Sequence, residues 1–295
     1  MPSGQTPADD VKTWLGSEQQ REDSLDPGAV ERVAAALGAT VPVAGEALPY
    51  LWYWAFFQPA PPASSIGEDG HAETGGFLPP MPGRQRMWAG SRISFKTPLK
   101  VGVPALRHST VSKIEEKQGR SAGAMTFVTV EHRYSQEGRE AIHEQQDLVY
   151  REPRPLQARD GEPLPELDWQ ETITPHPVQL FRYSAVTFNG HRIHYDWPYA
   201  TKQEGYAGLV VHGPLIATLV MNAFLAAHPD CTPTRFSFRG RRPLLCPGQF
   251  RVGGYFENDS HENDGHESDG VARVFAGDSG GQSQTGLIEF KHTRS

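Results

Sequence analysis

The stretch GPLIATLVMNAFLAAHP, residues 213–229, decides the fold. It contains no Asp, Glu, Lys or Arg, and apolar side chains recur on every side of a helix drawn through it. A helix that is apolar all round must be buried all round. Pro214 suits a first helical turn, where a missing N–H costs nothing because that N–H has no helical partner. What surrounds such a helix is written downstream. RFSFRGRRPL (235–244), GQFRVGGYFE (248–257), GVARVFAG (270–277) and TGLIEFKH (285–292) read as short strands, with glycine and proline punctuating them. An antiparallel sheet curled around one long helix covers it on all faces.

The first half repeats this plan. ALPYLWYWAFFQP, residues 47–59, is almost wholly apolar and aromatic, and the prolines from Pro59 onward end it. It is expected to form the equivalent buried helix over 47–58. SRISFKTPL, ALRHSTVSKIEEKQG, AMTFVTVEHRYSQEG and EAIHEQQDLVYRE then read as an antiparallel meander turning at Gly119 and Gly138. The strand openings of the halves match, RISFKTPLKVG (92–102) against RFSFRGRRPLLCPG (235–248). Helix, matched strand and meander recurring in one order indicate an internal duplication. The expected fold is α+β, a double hot dog: two units, each an antiparallel sheet wrapped around one helix. We expect a first unit over 1–152, a Pro- and charge-rich linker over 153–167 and a second unit over 168–295. Residues 7–38 read as an amphipathic helical lead-in, and 59–85 as an ordered loop or lid.

With 37% hydrophobic and 21% charged residues, the chain can build sizeable cores. Its formal net charge of −7 argues against nucleic acid as a partner, though Arg235, Arg239, Arg241 and Arg242 make a local basic cluster suited to a phosphorylated group. Cys231 and Cys246 are too few for a disulfide scaffold or a four-thiolate zinc site. No apolar run reaches membrane-spanning length. Asp9 and Asp10 sit where a secretory signal would be basic, so a cytoplasmic location is expected.

Chemistry is concentrated in TFNGHRIHYDWPYATKQEGYAGLVVHGPLIATLV, residues 187–220. His191 and His194 precede a loop that ends in His212-Gly213-Pro214 at the start of the apolar helix. Adding water to an α,β-unsaturated thioester requires a base for the water and donors for the thioester oxygen as it becomes enolate-like. A histidine supplies the first. Unpaired N–H groups at a helix start supply the second, and Gly213 lets substrate approach them.

This block resembles the MaoC-like (R)-specific enoyl-CoA hydratases and the hydroxyacyl-thioester dehydratases related to them. Their motif is Asp-x-Asn-Pro-x-His, then a loop ending in His-Gly at the start of the hot-dog helix. FNxHRIHYD…EGYxGLVVHGPL and LPPMPGRQRMWAGSRISFKTPLKVG (78–102) resemble the branch that holds mitochondrial-type 3-hydroxyacyl-thioester dehydratases and mesaconyl-C4-CoA and itaconyl-CoA hydratases. The resemblance implies a hydro-lyase acting on an acyl-CoA, with no cofactor beyond the CoA of its substrate and a homodimeric assembly. It places the catalytic histidine at His194 and the oxyanion-hole glycine at Gly213. Val211, His212, Arg239 and Arg241 are expected to bind substrate, although His212 could simply cap the helix.

Three positions depart from the motif. Asn189 stands where the family has its aspartate, His191 for the asparagine and Arg192 for the proline. Asn189 cannot take a proton, so it either orients water or His194 through its amide or merely forms a turn beside Gly190. His191 is either a second catalytic histidine or a packing residue. The first unit has no such motif and is expected to shape the pocket without catalysing. A bulky Trp/Phe helix there would narrow the pocket toward short or branched acyl groups. Other readings of the fold are a thioesterase and a non-catalytic acyl-CoA-binding scaffold.

Two features invite over-reading. ENDSHENDGHESDG (257–270) has two histidines and many acids, but reads as a solvated loop, and no metal site is expected. Trp52, Tyr53, Trp54, Phe56 and Phe57 are read as core, and Gly75-Gly76 and Gly280-Gly281 as turns.

Overall fold

The structure is a computed structural model, and it describes residues 11–73, 75–119, 123–153, 160–257 and 270–292. Most of the acidic loop of residues 257–270 lies outside the described residues.

The first half holds β1 (Glu18–Asp23), α1 (Pro27–Leu37), β2 (Gln85–Phe95), β3 (Ala105–Gly119), β4 (Gly123–Gln136) and β5 (Arg139–Arg151). The second holds β6 (Trp169–Ile173), α2 (Pro177–Val186), β7 (Leu209–Val210), α3 (Gly213–Ala227), β8 (Cys231–Gly240), β9 (Leu245–Cys246), β10 (Phe250–Phe256), β11 (Gly270–Asp278) and β12 (Gly281–His292). Ten strands form one antiparallel sheet in the order β1-β3-β4-β5-β2-β8-β12-β11-β10-β6. Read from either end, that order is edge strand, three meander strands, then the strand that opens the meander. The join is β2 against β8, and there Ile93 pairs with Phe236. These are the corresponding residues of the two matched sequences, Arg-Ile-Ser-Phe and Arg-Phe-Ser-Phe, so the repeat meets itself at a local two-fold. This is the double hot-dog fold.

The helix α3 behaves as its sequence demands. Only Ala226 and Ala227, at its C-terminal end, are exposed, and Leu215, Ile216, Val220, Met221 and Phe224 are buried. Each such side chain contributes about 1.5–3 kcal/mol by leaving water. A charge at Met221 or Phe224 would therefore remove the second unit's core.

Two expectations are corrected. Residues 47–58 do not form a counterpart of α3; they make one turn of 3-10 helix, Trp52–Ala55. Leu51 (φ 68) and Phe57 (φ 60) adopt left-handed backbone on either side of it, which stops helix propagation. Polar contacts hold the aromatics to the sheet instead. The Tyr53 hydroxyl and Trp54 Nε1 donate to the buried Glu144 carboxyl at 2.9 and 3.0 Å, and Ser91 Oγ donates to it at 2.7 Å. The buried reading of the aromatic run holds; the helix does not. Second, the lead-in is not one helix. β1 pairs with β3, and α1 starts only at Pro27, capped by Asp26, whose Oδ1 accepts the Ala29 N–H at 3.0 Å.

The end of the linker is tied to the second unit, since Gly161 N–H donates to Gly280 O and Gln282 N–H to Glu162 O, both at 2.7 Å.

Candidate active site

Between α2 and α3 the chain makes a short 3-10 turn, Arg192–His194, that delivers His194 beside the start of α3. His194 is buried, and its Nδ1–H donates to the Val210 carbonyl at 2.8 Å. A carbonyl only accepts, so the ring proton is fixed on Nδ1 and Nε2 keeps its lone pair. Burial, opposed by the Val210 bond and reinforced by His71, pushes the His194 pKa down to about 4. The ring is therefore neutral near pH 7, with the Nε2 lone pair free to accept a hydrogen bond.

His212 stacks on His194 with ring centroids 3.7 Å apart. It is wholly buried, its Nε2 pairs with Ser184 Oγ at 2.8 Å, and it does not line the cleft. The expectation that His212 touches substrate is corrected on that ground: its ring backs His194. Gly213 does line the cleft, and a Cβ there would meet nothing within 4 Å, so the helix start is open to a ligand. The N–H groups at this end have no helical partner. Val211 lines the cleft. Arg239 and Arg241 line it too, and both are exposed.

Asn189 lines the cleft and also shapes a turn. Its Oδ1 accepts the His191 N–H at 3.0 Å and its own N–H donates to Ser184 O at 2.8 Å. That turn directs His191, whose ring lies 5.4 Å from His194 and 4.2 Å from His71, centroid to centroid. Burial, with His71 and His194 nearby, pushes the His191 pKa down.

The sequence reading missed Asp69 and His71. They sit on a loop of the first half, closed by an Ile66–Ala72 bridge, that docks on the His191 turn. Gly70 (φ +89) and Gly190 meet backbone to backbone, so closely that a Cβ on either would strike the other's carbonyl oxygen. Arg192 fastens the contact, donating from N–H to Asp69 O at 2.9 Å and from Nη1 to Glu68 O at 3.0 Å. Within the loop His71 Nδ1 pairs with Asp69 Oδ2 at 2.8 Å. Burial pushes the Asp69 carboxyl up, but the hydrogen bonds and charge of His71 more than offset this and hold it below the usual carboxylate range. Burial and Arg86 push His71 down against the pull of Asp69. The donor atoms of Asp69, His71 and His191 lie within 4.8 Å of one another.

These groups line a cleft of about 1860 Å³. It runs over the sheet of the first half, where Tyr134, His132 and Gln146 line it. The shortened 47–58 segment leaves this space open, so the expected narrowing by a bulky helix is withdrawn. Arg84, Arg86 and Arg151 also line it.

A tautomer-fixed histidine beside an open helix N-terminus, in a double hot dog, suits the chemistry of an acyl-thioester hydro-lyase. The profile of the hydroxyacyl-thioester dehydratase type 2 family matches residues 51–246, and the chain belongs to that family. It is 45% identical over 249 residues to the mesaconyl-C(4)-CoA hydratase of Chloroflexus aurantiacus, covering 82% of this chain and 88% of that one. It is 25% identical over 268 residues to the mitochondrial hydroxyacyl-thioester dehydratase type 2 of Schizosaccharomyces pombe, covering 78% and 88%. Among solved structures, a MaoC-like dehydratase superposes with a TM-score of 0.70 at 15% identity, covering 96% of this chain and 99% of that one. HtdX of Mycobacterium tuberculosis does so with 0.60 at 19% identity, covering 92% and 98%. The chain is thus an acyl-CoA hydratase/dehydratase.

Proposed function

We propose that this enzyme hydrates a short enoyl-CoA bearing a second, free carboxylate, of the mesaconyl-C4-CoA kind, and that His194 and Gly213 are its catalytic centre. The observation that carries the reading is His194 Nε2, left with a lone pair by the 2.8 Å bond from Nδ1 to Val210, next to the open start of α3. Nε2 accepts a hydrogen bond from the attacking water and activates it as the oxygen bonds to the β-carbon. The double-bond electrons move toward the thioester oxygen. The Gly213 N–H, at the positive end of α3, stabilises the enolate oxygen that results. Uptake of a proton by the α-carbon completes the hydration.

Val211 borders the acyl group, and Arg239 and Arg241, exposed on the cleft, suit the CoA phosphates. The free carboxylate is assigned to Arg86, which lines the cleft and is close enough to lower the pKa of both His71 and His191. The 45% identity to a mesaconyl-C(4)-CoA hydratase supports the same substrate class. Among the described residues no helix is long and apolar enough to cross a membrane. We assign the enzyme to the cytoplasm as a homodimer that needs no cofactor beyond the CoA of its substrate.

Initial rates with mesaconyl-C4-CoA and crotonyl-CoA, followed by loss of the enoyl-thioester absorbance, test this reading. Faster turnover of mesaconyl-C4-CoA without release of thiol is expected. Stoichiometric CoA release would make the protein a thioesterase, and no turnover of either substrate would leave a binding scaffold.

A further inference from the structure

We propose that His71, supported by Asp69 from the same first-unit loop, is a catalytic residue: it carries the proton that leaves the water and returns it to the α-carbon. The inference rests on the reading of His194 as the water-activating group and supplies what that reading lacks.

The lack is a place for charge. When water attacks, a proton must sit on the protein until the α-carbon takes it. His194 is a poor final holder, being buried with its ring stacked on neutral His212. The family aspartate would be an alternative holder, but this chain has Asn189 there, and an amide takes no proton in the working range. The Asn189 oxygen is in any case engaged by the His191 N–H at 3.0 Å.

The first-unit loop brings a carboxylate back. Asp69 Oδ2 is 2.8 Å from His71 Nδ1. A carboxylate only accepts, so Nδ1 carries the proton and Nε2 of neutral His71 has the lone pair. An imidazolium formed by protonating Nε2 is at once paired with Asp69, an arrangement in which a carboxylate orients a general base and stabilises its charged form. His71 lines the cleft and packs on His191, whose ring also faces His194. The loop is held by backbone, through Gly70 on Gly190 and Arg192 on Asp69 O and Glu68 O, so the His71 ring is not needed to dock it.

The step balances without a further reagent. Water oxygen bonds to the β-carbon, and one water proton passes to His71 Nε2 while the other stays hydrogen-bonded to His194 Nε2. The π electrons form the enolate held at Gly213. The enolate then collapses, the α-carbon takes the proton back from His71 Nε2, and both histidines end neutral.

Four variants measured with the same substrate decide this: His71→Ala, Asp69→Asn, His194→Ala, and His71→Ala combined with Asn189→Asp. His71→Ala is expected to lose at least ~10²-fold in kcat with KM changed less than about 3-fold. The double variant, which restores the family carboxylate, is expected to recover at least ~10-fold over His71→Ala. Asp69→Asn should lower kcat and move the ascending limb of kcat/KM to lower pH. Of the charged groups facing His71, namely Asp69, Arg86, His191 and His194, only Asp69 favours the imidazolium. A purely structural Asp69 would lower kcat without moving the limb, and that result overturns its assignment. If His71→Ala keeps kcat within about 3-fold while His194→Ala is inactive, the inference fails and the His194 reading stands. If both keep near-normal rates, the whole site assignment fails. Should His71→Ala not fold, His71→Gln with the same two readouts replaces it.

Discussion

The two halves share a strand order but differ in what fills the sheet. The second wraps α3, a helix buried along nearly its whole length, whose open N-terminus faces the cleft. The first wraps one 3-10 turn of aromatics pinned to a buried carboxyl, Glu144, and gives the remaining concave surface to the cleft. A helix inside a hot dog thus has two separable uses, as core and as anion-stabilising terminus. The second half keeps both. The first replaces the core with Trp52, Tyr53, Trp54, Phe56 and Phe57 and drops the terminus. It still reaches the chemistry, through the loop carrying Asp69 and His71.

The largest expected effect tests the second half. His194→Ala should lower kcat by at least ~10²-fold, because it removes the Nε2 lone pair that holds the attacking water beside the start of α3. Circular dichroism must show the fold unchanged. Near-normal turnover by a folded variant would move the centre of catalysis out of the second half.

The next effect tests whether the first half selects the acyl group. Arg86→Ala should cost about 10- to 100-fold in kcat/KM for mesaconyl-C4-CoA, the scale of a lost charge-assisted hydrogen bond, and little for crotonyl-CoA, which has no second carboxylate. Equal losses on both would show that Arg86 serves the histidines or the CoA rather than the acyl carboxylate.

The same contrast explains what could be read in the sequence. β3, β4 and β5 alternate apolar and polar residues between turn glycines, a local signal, and they form where expected. α3 was legible because nothing but complete burial accommodates its composition. The 47–58 run was ambiguous for the same property: an apolar stretch says that a segment is buried, not what shape it takes. Its shape is set by Glu144, about ninety residues away. β1 (EQQRED) carries no apolar period, as befits an edge strand, and reads as part of a helix. At the site, His194 and Gly213 lie within one continuous motif. Asp69 and His71 join it only through folding, more than a hundred residues from His191, and the pair of glycines Gly67 and Gly70 around them was the sole local hint. Long-range docking of one backbone on another leaves no periodic trace in sequence.

The smallest expected effect isolates how the first half holds its aromatic turn. Tyr53→Phe keeps ring volume and the edge contact with Tyr134, whose centroid is 4.7 Å away, and deletes only the 2.9 Å bond to Glu144. Trp54 Nε1 and Ser91 Oγ remain as donors to the carboxyl. Loss of one hydrogen bond to a group that can carry charge should cost about 1.5–3 kcal/mol, a fall in Tm of several degrees for a chain of this size. The cost should depend on pH with a definite sign. Burial raises the Glu144 pKa above the usual carboxylate value, while its donors favour the ionised form. A raised acid destabilises the fold progressively as pH rises through its folded pKa, because the unfolded chain releases the proton more readily. Removing a donor raises that pKa further. The gap in Tm between wild type and Tyr53→Phe should therefore widen from acid toward neutral pH, while kcat stays within about 2-fold. A gap independent of pH would mean that Glu144 stays protonated throughout and that the turn is held by packing and neutral hydrogen bonds alone.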